Sequence, residues 1–359
     1  MNLPQGFLLS GIHCGIKRRK PDLGLIYSKD SCCAVGFFTT NVNPSYSVTV
    51  SKKNINNPIK AVLVNSGNAN CFSHTKGLKD TEQIIGSLAK KLRVQKKNIL
   101  FASTGVIGKN LPRNKIIKSF GHLLNGLETD VYKFASSILT TDTAKKISLR
   151  EVGPVRILGF AKGAGMICPR MATMLGFVLT DAKVSRSFLK QIAKEVIEES
   201  FNSISVDGCT STNDTVFILS SGKVALKKTQ LNAFKRGLKE VCLELAKMIV
   251  KDGEGVTKFI ELKIQGAKTS QEAKQAGLAL ANSVLFKCAL YGEDANWGRI
   301  IAALGQAGIK VNENICIKAT SLKRREIVIT VDLKRGKASW NFYTSDLTPQ
   351  YVKLNAEYS

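Results

Sequence analysis

A hydroxyl at the mouth of a strand is the first feature of this chain that could do chemistry. The stretch Lys162-Gly163-Ala164-Gly165-Met166-Ile167-Cys168-Pro169-Arg170-Met171-Ala172-Thr173 leads to it, and the apolar run from Met174 to Leu179 follows. Glycine opens backbone geometries closed to other residues, and proline fixes its own φ and biases the residue before it toward extended conformations. Such a turn would present Thr173 as a hydroxyl nucleophile, although an ordinary tight loop carries the same residue types. Cys168 is a second nucleophile in the stretch, with no histidine close to it in sequence.

Partners for such a nucleophile are in short supply. The chain has three histidines, His13, His74 and His122, and nine dispersed cysteines with no C-x-x-C pair and no Cys/His ligand spacing. The expectation is reduced thiols, no metal centre, and acyl chemistry that avoids histidine.

The elements that would position the chemistry alternate between strand and helix. An apolar strand over 59–64 runs into Asn65-Ser66-Gly67-Asn68-Ala69-Asn70, and a second over 98–102 runs into Ser103-Thr104-Gly105-Val106-Ile107-Gly108. Polar residues and glycine after a strand are a usual place for α/β sites, and the N–H groups of such a turn can converge on an anion. A helix is expected over 81–91, helical periodicity over 113–139, the hydroxyl cluster Thr140-Thr141-Asp142-Thr143, and a strand over 154–161. Residues 1–50 read as short strands and turns. Thr180-Asp181 would cap a helix whose apolar face holds Val184, Phe188, Leu189, Ile192, Val196 and Ile197. A polar turn over 204–215 precedes a strand over 216–219. A helix over 231–250 stops at Asp252-Gly253-Glu254-Gly255, leaving Glu254 in a turn. Thr269 and Glu272 fit a capping box, and strands are expected over 257–264, 326–332 and 337–342. Alternation of this kind predicts a mixed α/β (α+β) fold, sheets sandwiched with helices in two intimately packed lobes. There is no phosphate-binding loop, and Gly253-x-Gly255 lacks the third glycine of a dinucleotide fingerprint.

Composition narrows the class. The chain's 359 residues, 44% of them hydrophobic and 7% aromatic, support a full aliphatic core. No apolar run approaches the about 18 residues of a membrane span. The basic cluster near the N-terminus follows the apolar patch, the reverse of a secretory signal, so a cytoplasmic protein with no membrane partner is expected. Lys and Arg total 53 against 27 Asp and Glu, a net charge of +26. The basic residues are spread over every segment, which reads as a solvated surface that attracts anionic substrates and not as a nucleic-acid site.

Taken together the motifs resemble the self-processing ornithine acetyltransferases, also called glutamate N-acetyltransferases, of arginine biosynthesis. The match runs through NSGNANCF at 65–72, STGVIG at 103–108, TTDT at 140–143, KGAGMICPRMATML at 162–175, VDGCTSTNDT at 206–215, DGEGVTK at 252–258, NWGRIIAALG at 296–305 and NAEYS at 355–359. The resemblance implies an N-terminal-nucleophile aminopeptidase-like fold. It also implies self-cleavage between Ala172 and Thr173, giving an N-terminal fragment 1–172 and a C-terminal fragment 173–359, assembled as two copies of each. The freed α-amine of Thr173, with a reference pKa of about 7.7–8.0, can act as base to its own hydroxyl. N-acetylornithine then acetylates Thr173 and glutamate collects the acetyl group. By the same resemblance Thr104 and Gly105 stabilise the oxyanion, and Thr140, Lys162, Thr173, Glu254 and Asn355 bind substrate. Charge complementarity suggests a substrate carboxylate for Lys162 and a substrate ammonium for Glu254. No cofactor or metal is implied, with acetyl-CoA open as a second acetyl donor. This sequence departs from the family pattern in two places. The spacing from TTDT to Lys162 leaves Thr140 and Thr141 as alternatives, and a contact usually made by a further C-terminal hydroxyl falls to Ser359 or the terminal carboxylate. The alternatives are an N-terminal-nucleophile aminopeptidase or amidase, which would hydrolyse its acyl intermediate, and a non-catalytic basic nucleic-acid-binding protein.

Overall fold

The computed structural model describes residues 2–73, 76–168 and 174–357. Ala172, Thr173 and Ser359 lie outside the described residues. The strands are β1 (Phe7–Ile12), β2 (Leu23–Phe38), β3 (Ile59–Asn68), β4 (Ile99–Val106), β5 (Lys146–Val152), β6 (Val155–Lys162), β7 (Leu175–Lys183), β8 (Thr215–Ala225), β9 (Phe259–Ala267), β10 (Cys316–Ala319), β11 (Glu326–Asp332) and β12 (Ala338–Ser345). The α-helices are α1 (Tyr46–Asn54), α2 (Lys76–Leu92), α3 (Arg113–Lys118), α4 (Phe120–Asn125), α5 (Val131–Ser137), α6 (Arg186–Glu199), α7 (Leu231–Lys251), α8 (Ser270–Asn282), α9 (Val284–Tyr291), α10 (Gly298–Gln306) and α11 (Pro349–Ala356). The chain divides into two compact units. One takes the described parts of 1–163, 170–197 and 210–245, the other those of 164–169, 198–209 and 246–359.

The first unit is built on an eight-stranded sheet in the order β4-β3-β2-β8-β7-β6-β5, with β1 on β2. Its spine is β2, whose 16 residues serve three neighbours, with residues 23–28 paired to β1. Residues 23–27 pair with β3, residues 33–38 pair with β8, and the register breaks between Tyr27 and Cys32. The sheet folds over at that break. Val62, Val64 and Leu100 on one side of it share an apolar cluster with Leu158, Phe160, Phe177 and Leu219 on the other. The opposite face of β3 and β4 buries Leu63, Ile99 and Phe101 against Ile84, Ile85 and Leu88 of α2 and Ile116 of α3. Both faces of β3 are thus covered, which is why it reads as a continuous apolar run. The second unit is a four-stranded sheet, β10-β11-β9-β12. It buries Ile260, Leu262, Ile329 and Phe342 against Ala273, Ala276 and Leu280 of α8 and Ile300 and Leu304 of α10. Gly277 lets α8 approach, since a Cβ there would lie 3.1 Å from Phe342.

Several expectations change. The polar segments after β3 and β4 begin inside the ladder, because parallel pairing continues through Ser66–Thr104 and Gly67–Gly105. Thr180 and Asp181 do not cap a helix; they belong to β7, where the Asp181 carboxylate accepts the N–H groups of Gln5 at 3.0 Å and Arg156 at 2.8 Å. The helix starts later, and Ser185 Oγ accepts the N–H of Phe188 at 3.2 Å. The periodic stretch 113–139 is three short helices, and residues 1–50 hold the expected short strand and turns in β1 and its flanks but also the long strand β2 and the start of α1. Thr269 does cap α8, accepting from Glu272 N at 3.1 Å, but the Glu272 carboxylate reaches the N–H of Lys268 instead of closing the box.

Candidate functional site

In the first unit the site residues gather where β3, β4 and β6 end and β7 and β8 begin. Gly67 and Gly105 face each other at the end of the β3–β4 ladder, with φ of 97° and 133°. A Cβ on Gly105 would sit 2.3 Å from the carbonyl carbon of Gly67, so only glycine fits. The preceding residue, Thr104, is buried, and its Oγ1 accepts a hydrogen bond of 3.2 Å from Nζ of Lys162. Lys162, itself buried, is the last residue of β6 and pairs across the ladder with Leu175 at the start of β7. Strands β4 and β6 are far apart in the strand order, so this contact exists only because the sheet folds over.

Asp142 organises the other side of Lys162. Its Oδ1 accepts from Lys146 Nζ at 2.7 Å and Gly163 N at 2.6 Å, and its Oδ2 from Thr140 N at 2.9 Å. Burial works to raise the Asp142 carboxyl, but Lys162, Lys146 and the Gly163 amide outweigh it and hold it well below the usual carboxylate range. Thr140 Oγ1 lies 3.4 Å from Asp142 Oδ2, which places Thr140 in the cluster. Lys17 is a further cation here. Its stem lies over Gly67, its ammonium donates to Pro21 O at 2.9 Å and to Leu139 O at 2.5 Å, and burial pushes it down to about 8.

The VDGCTSTNDT segment supplies the clamp. Asn213 Nδ2 donates to Ala69 O at 2.6 Å and Ser103 O at 2.8 Å, tying the turn after β3 and the body of β4 to the segment that leads into β8. Asp214 is fully buried, and its Oδ1 accepts the N–H of Met174 at 2.8 Å. Burial pushes its carboxyl well above the ordinary value.

Glu254 and Asn355 are in the second unit. Glu254 sits in the turn between α7 and β9, and its N–H donates to Ala164 O at 2.9 Å. Asn355, on α11, donates to Glu254 Oε2 at 3.0 Å. Gly165 leaves room for that carboxylate, because a Cβ there would lie 2.5 Å from Glu254 Oε2. Next to it, Asp207 accepts from Met166 N at 2.6 Å and from Tyr351 OH at 3.3 Å, and burial raises its carboxyl.

The structure therefore brings Thr104, Gly105, Thr140 and Lys162 into one cluster, and Glu254 and Asn355 into another. Asp142, Lys146, Asn213 and Asp214 were not singled out from sequence. No local signal marks Lys146, because β5 mixes apolar Ile147, Leu149 and Val152 with polar Ser148, Arg150 and Glu151. Among the described residues no group of three or more His, Cys, Asp and Glu could hold a metal ion, and no helix is long and apolar enough to cross a membrane. None of the nine cysteines is in a disulfide. Cys168 sits 3.8 Å from Asn282 Nδ2 in the second unit.

Comparison with known proteins gives the following. A model of the ArgJ family matches residues 8–359. Arginine biosynthesis bifunctional protein ArgJ of Syntrophotalea carbinolica is 41% identical over 98% of this chain and 98% of its own length. Glutamate N-acetyltransferase of Methanocaldococcus jannaschii is 38% identical over 99% of this chain and 97% of its own. A crystal structure of arginine biosynthesis bifunctional protein argJ from Bacillus halodurans aligns with a TM-score of 0.47 at 36% identity, covering 50% of this chain and 97% of that one.

Proposed function

The chain belongs to the ArgJ family, and on that premise we propose that it is a glutamate N-acetyltransferase that moves the acetyl group of N-acetylornithine to glutamate through an ester on Thr173. The observation that supports this most is the contact of Lys162 with Thr104. The ammonium donates to Oγ1, so the hydroxyl proton of Thr104 is left to be given elsewhere. Lys162 is also the ladder partner of Leu175, two residues from Thr173. A polarised hydroxyl at the end of β4 is thus within a side chain's reach of the strand that Thr173 introduces.

The mechanism follows. The precursor cuts itself at Ala172–Thr173, and the freed α-amine takes the proton of the Thr173 hydroxyl. Thr173 Oγ attacks the acetyl carbonyl of N-acetylornithine. Thr104 Oγ1–H and Gly105 N–H hold the resulting oxyanion, the α-ammonium returns its proton to the departing nitrogen, and ornithine leaves. The glutamate amine attacks the acetyl-enzyme by the reverse of these steps. Thr140, Lys162, Glu254, Asn355 and Ser359 hold the substrates, with Lys162 taking a carboxylate and Glu254 an ammonium. In this reading the mature protein is cytoplasmic, a heterotetramer of two 1–172 and two 173–359 fragments. It carries no bound cofactor, with acetyl-CoA left open as a second acetyl donor.

The test is incubation of the purified protein with N-acetylornithine and glutamate, alongside Thr173→Ala. Formation of N-acetylglutamate and ornithine in equal amounts, with a two-band denaturing gel and an inactive, uncut variant, is expected. Release of acetate in place of N-acetylglutamate assigns a hydrolase instead. A single full-length band in an active preparation overturns the self-cleavage.

A further inference from the structure

The cluster in the first unit draws on segments remote in sequence: the ends of β3 and β4, the stretch between α5 and β5, and the end of β6. Lys17 belongs to none of these, yet it touches two of them. It lies half-buried in the loop between β1 and β2. That loop is wound on the fully buried carboxylate of Asp22, which accepts the N–H groups of Cys14 at 2.6 Å, Ile16 at 2.7 Å and Lys17 at 2.9 Å. The main-chain carbonyl of Asp22 accepts from Ser66 N at 2.9 Å. Lys17 therefore projects from a fixed backbone, tied to β3 at the residue before Gly67.

The two ends of the side chain meet different parts of the cluster. A Cβ on Gly67 would lie 2.9 Å from Lys17 Cγ, so the stem covers Gly67, the ladder partner of Gly105. The ammonium donates to Leu139 O at 2.5 Å. The Leu139 carbonyl and the Thr140 N–H belong to one peptide unit, and that unit is planar. Lys17 holds its oxygen, and Asp142 Oδ2 holds its N–H at 2.9 Å. A plane gripped at both edges cannot turn, so Thr140 departs from it in one direction. Without the ammonium, the plane is free to swing about the bond to Asp142.

We propose that Lys17 is a positioning residue for acetyl transfer, its ammonium setting Thr140 for the substrate and its stem steadying the Gly67–Gly105 ladder end beside the oxyanion donors. The side chain bears a cost in this place. Burial pushes its ammonium down to about 8, with Asp22 opposing the fall and Lys162 and Lys20 adding to it. Arg19 and Lys20 of the same loop are exposed, as side chains that serve only solubility can be.

This role presupposes the acetyltransferase reading, in which Thr140 holds substrate and Thr104 and Gly105 hold the oxyanion. It is tested by steady-state assay with N-acetylornithine and glutamate, together with melting temperatures. Methionine keeps an unbranched stem and drops the ammonium. Lys17→Met is expected to raise KM for N-acetylornithine about 10-fold and to leave kcat within about threefold of wild type. Lys17→Ala also uncovers Gly67 and is expected to lower kcat by about 10-fold as well. Lys17→Arg, with stem and cation restored, should recover most of the affinity. In a Thr140→Ala background Lys17→Met should add nothing to KM, whereas in Thr141→Ala its full effect should persist. An unmoved KM in Lys17→Met, or an equal rise with and without Thr140, overturns the assignment. A Lys17→Met that melts far below wild type makes Lys17 a general clamp of the fold and overturns it too. A wild type that forms no N-acetylglutamate brings down the acetyltransferase reading and this role with it, whereas an active wild type with unresponsive variants brings down this role alone.

Discussion

Thr104 spends its oxygen on Lys162 and keeps its proton, and this division of one hydroxyl sets the first prediction. Thr104→Ala should lower kcat by about 100- to 1,000-fold, the usual loss of an oxyanion donor. KM should move little, and Thr104→Ser should recover much of the activity; steady-state assay checks both. A second prediction concerns Lys287 on α9. It is buried with its ammonium donating to Thr344 Oγ1 at 3.1 Å and Ser345 Oγ at 3.2 Å, and burial pushes it down to about 8, opposed in part by Asp346. Below that pH it is protonated in the folded and unfolded chains alike, so its full burial penalty is felt. Between about 8 and the unfolded value of about 10.4 only the unfolded chain keeps the proton. Stability should therefore rise with pH over that window, by at most about 1.4 kcal/mol per unit from this group. Denaturant titrations of wild type and Lys287→Met should show a shallower rise in the variant. Thr104 and Lys162 were legible as residue types in recognisable turns. Their partners were not, because Lys162 and Thr104 are 58 residues apart and Asn213 and Ser103 are 110 apart. Burial made by such distant strands leaves no local pattern.

Strand ends carry the site, and here sequence pattern was least sharp. Apolar periodicity located β3, β4, β6 and the long helix α7, but it placed the ends of β3 and β4 several residues early. Ladder hydrogen bonds continue through Ser66, Gly67, Thr104 and Gly105, of which only Thr104 has a strand-favouring side chain. Asp181 misled for the converse reason. An acid before an amphipathic stretch looks like a cap, yet here it receives the N–H groups of Arg156 in β6 and of Gln5 in the turn before β1. The glycines at the β4 end can be told apart by experiment. Gly105→Ala would drive a Cβ to 2.3 Å from the backbone of β3, whereas Gly108, at φ 84°, has nothing within 4 Å of its Cβ position. Gly105→Ala should abolish activity and destabilise the fold by several kcal/mol, and Gly108→Ala should cost about 1 kcal/mol of backbone strain. Activity and chemical denaturation measured in parallel check the contrast.

Over the whole molecule, the proposed fragments and the two compact units do not coincide. Fragment 1–172 supplies β1 to β6 and fragment 173–359 supplies β7 and β8 to the same sheet. Pairing of β6 with β7 and of β2 with β8 crosses the cut. In the second unit, residues from before the cut are held by residues after it, as Val206 N donates to Ile167 O at 2.8 Å and Glu254 N to Ala164 O. The fragments should therefore co-migrate as one species on native size exclusion and separate only in denaturant, a result that mass spectrometry of the native peak will check.

The ladder between β6 and β7 has a further consequence for the life of the molecule. While the chain is whole, the two strands lie a short loop apart, and closing that loop is a first-order event at a modest entropic cost. Between the two proposed fragments the same pairing would become an encounter between two solutes, and its rate would depend on their concentration. Neither piece carries a complete first core, since Phe160 comes from one and Phe177 and Phe217 from the other. A precursor can recover from unfolding alone, whereas a processed molecule that has come apart must find a partner while both halves expose apolar strands. Cutting would thus exchange reversible folding for catalytic competence, and the working lifetime of the mature protein would be set by how slowly it unfolds.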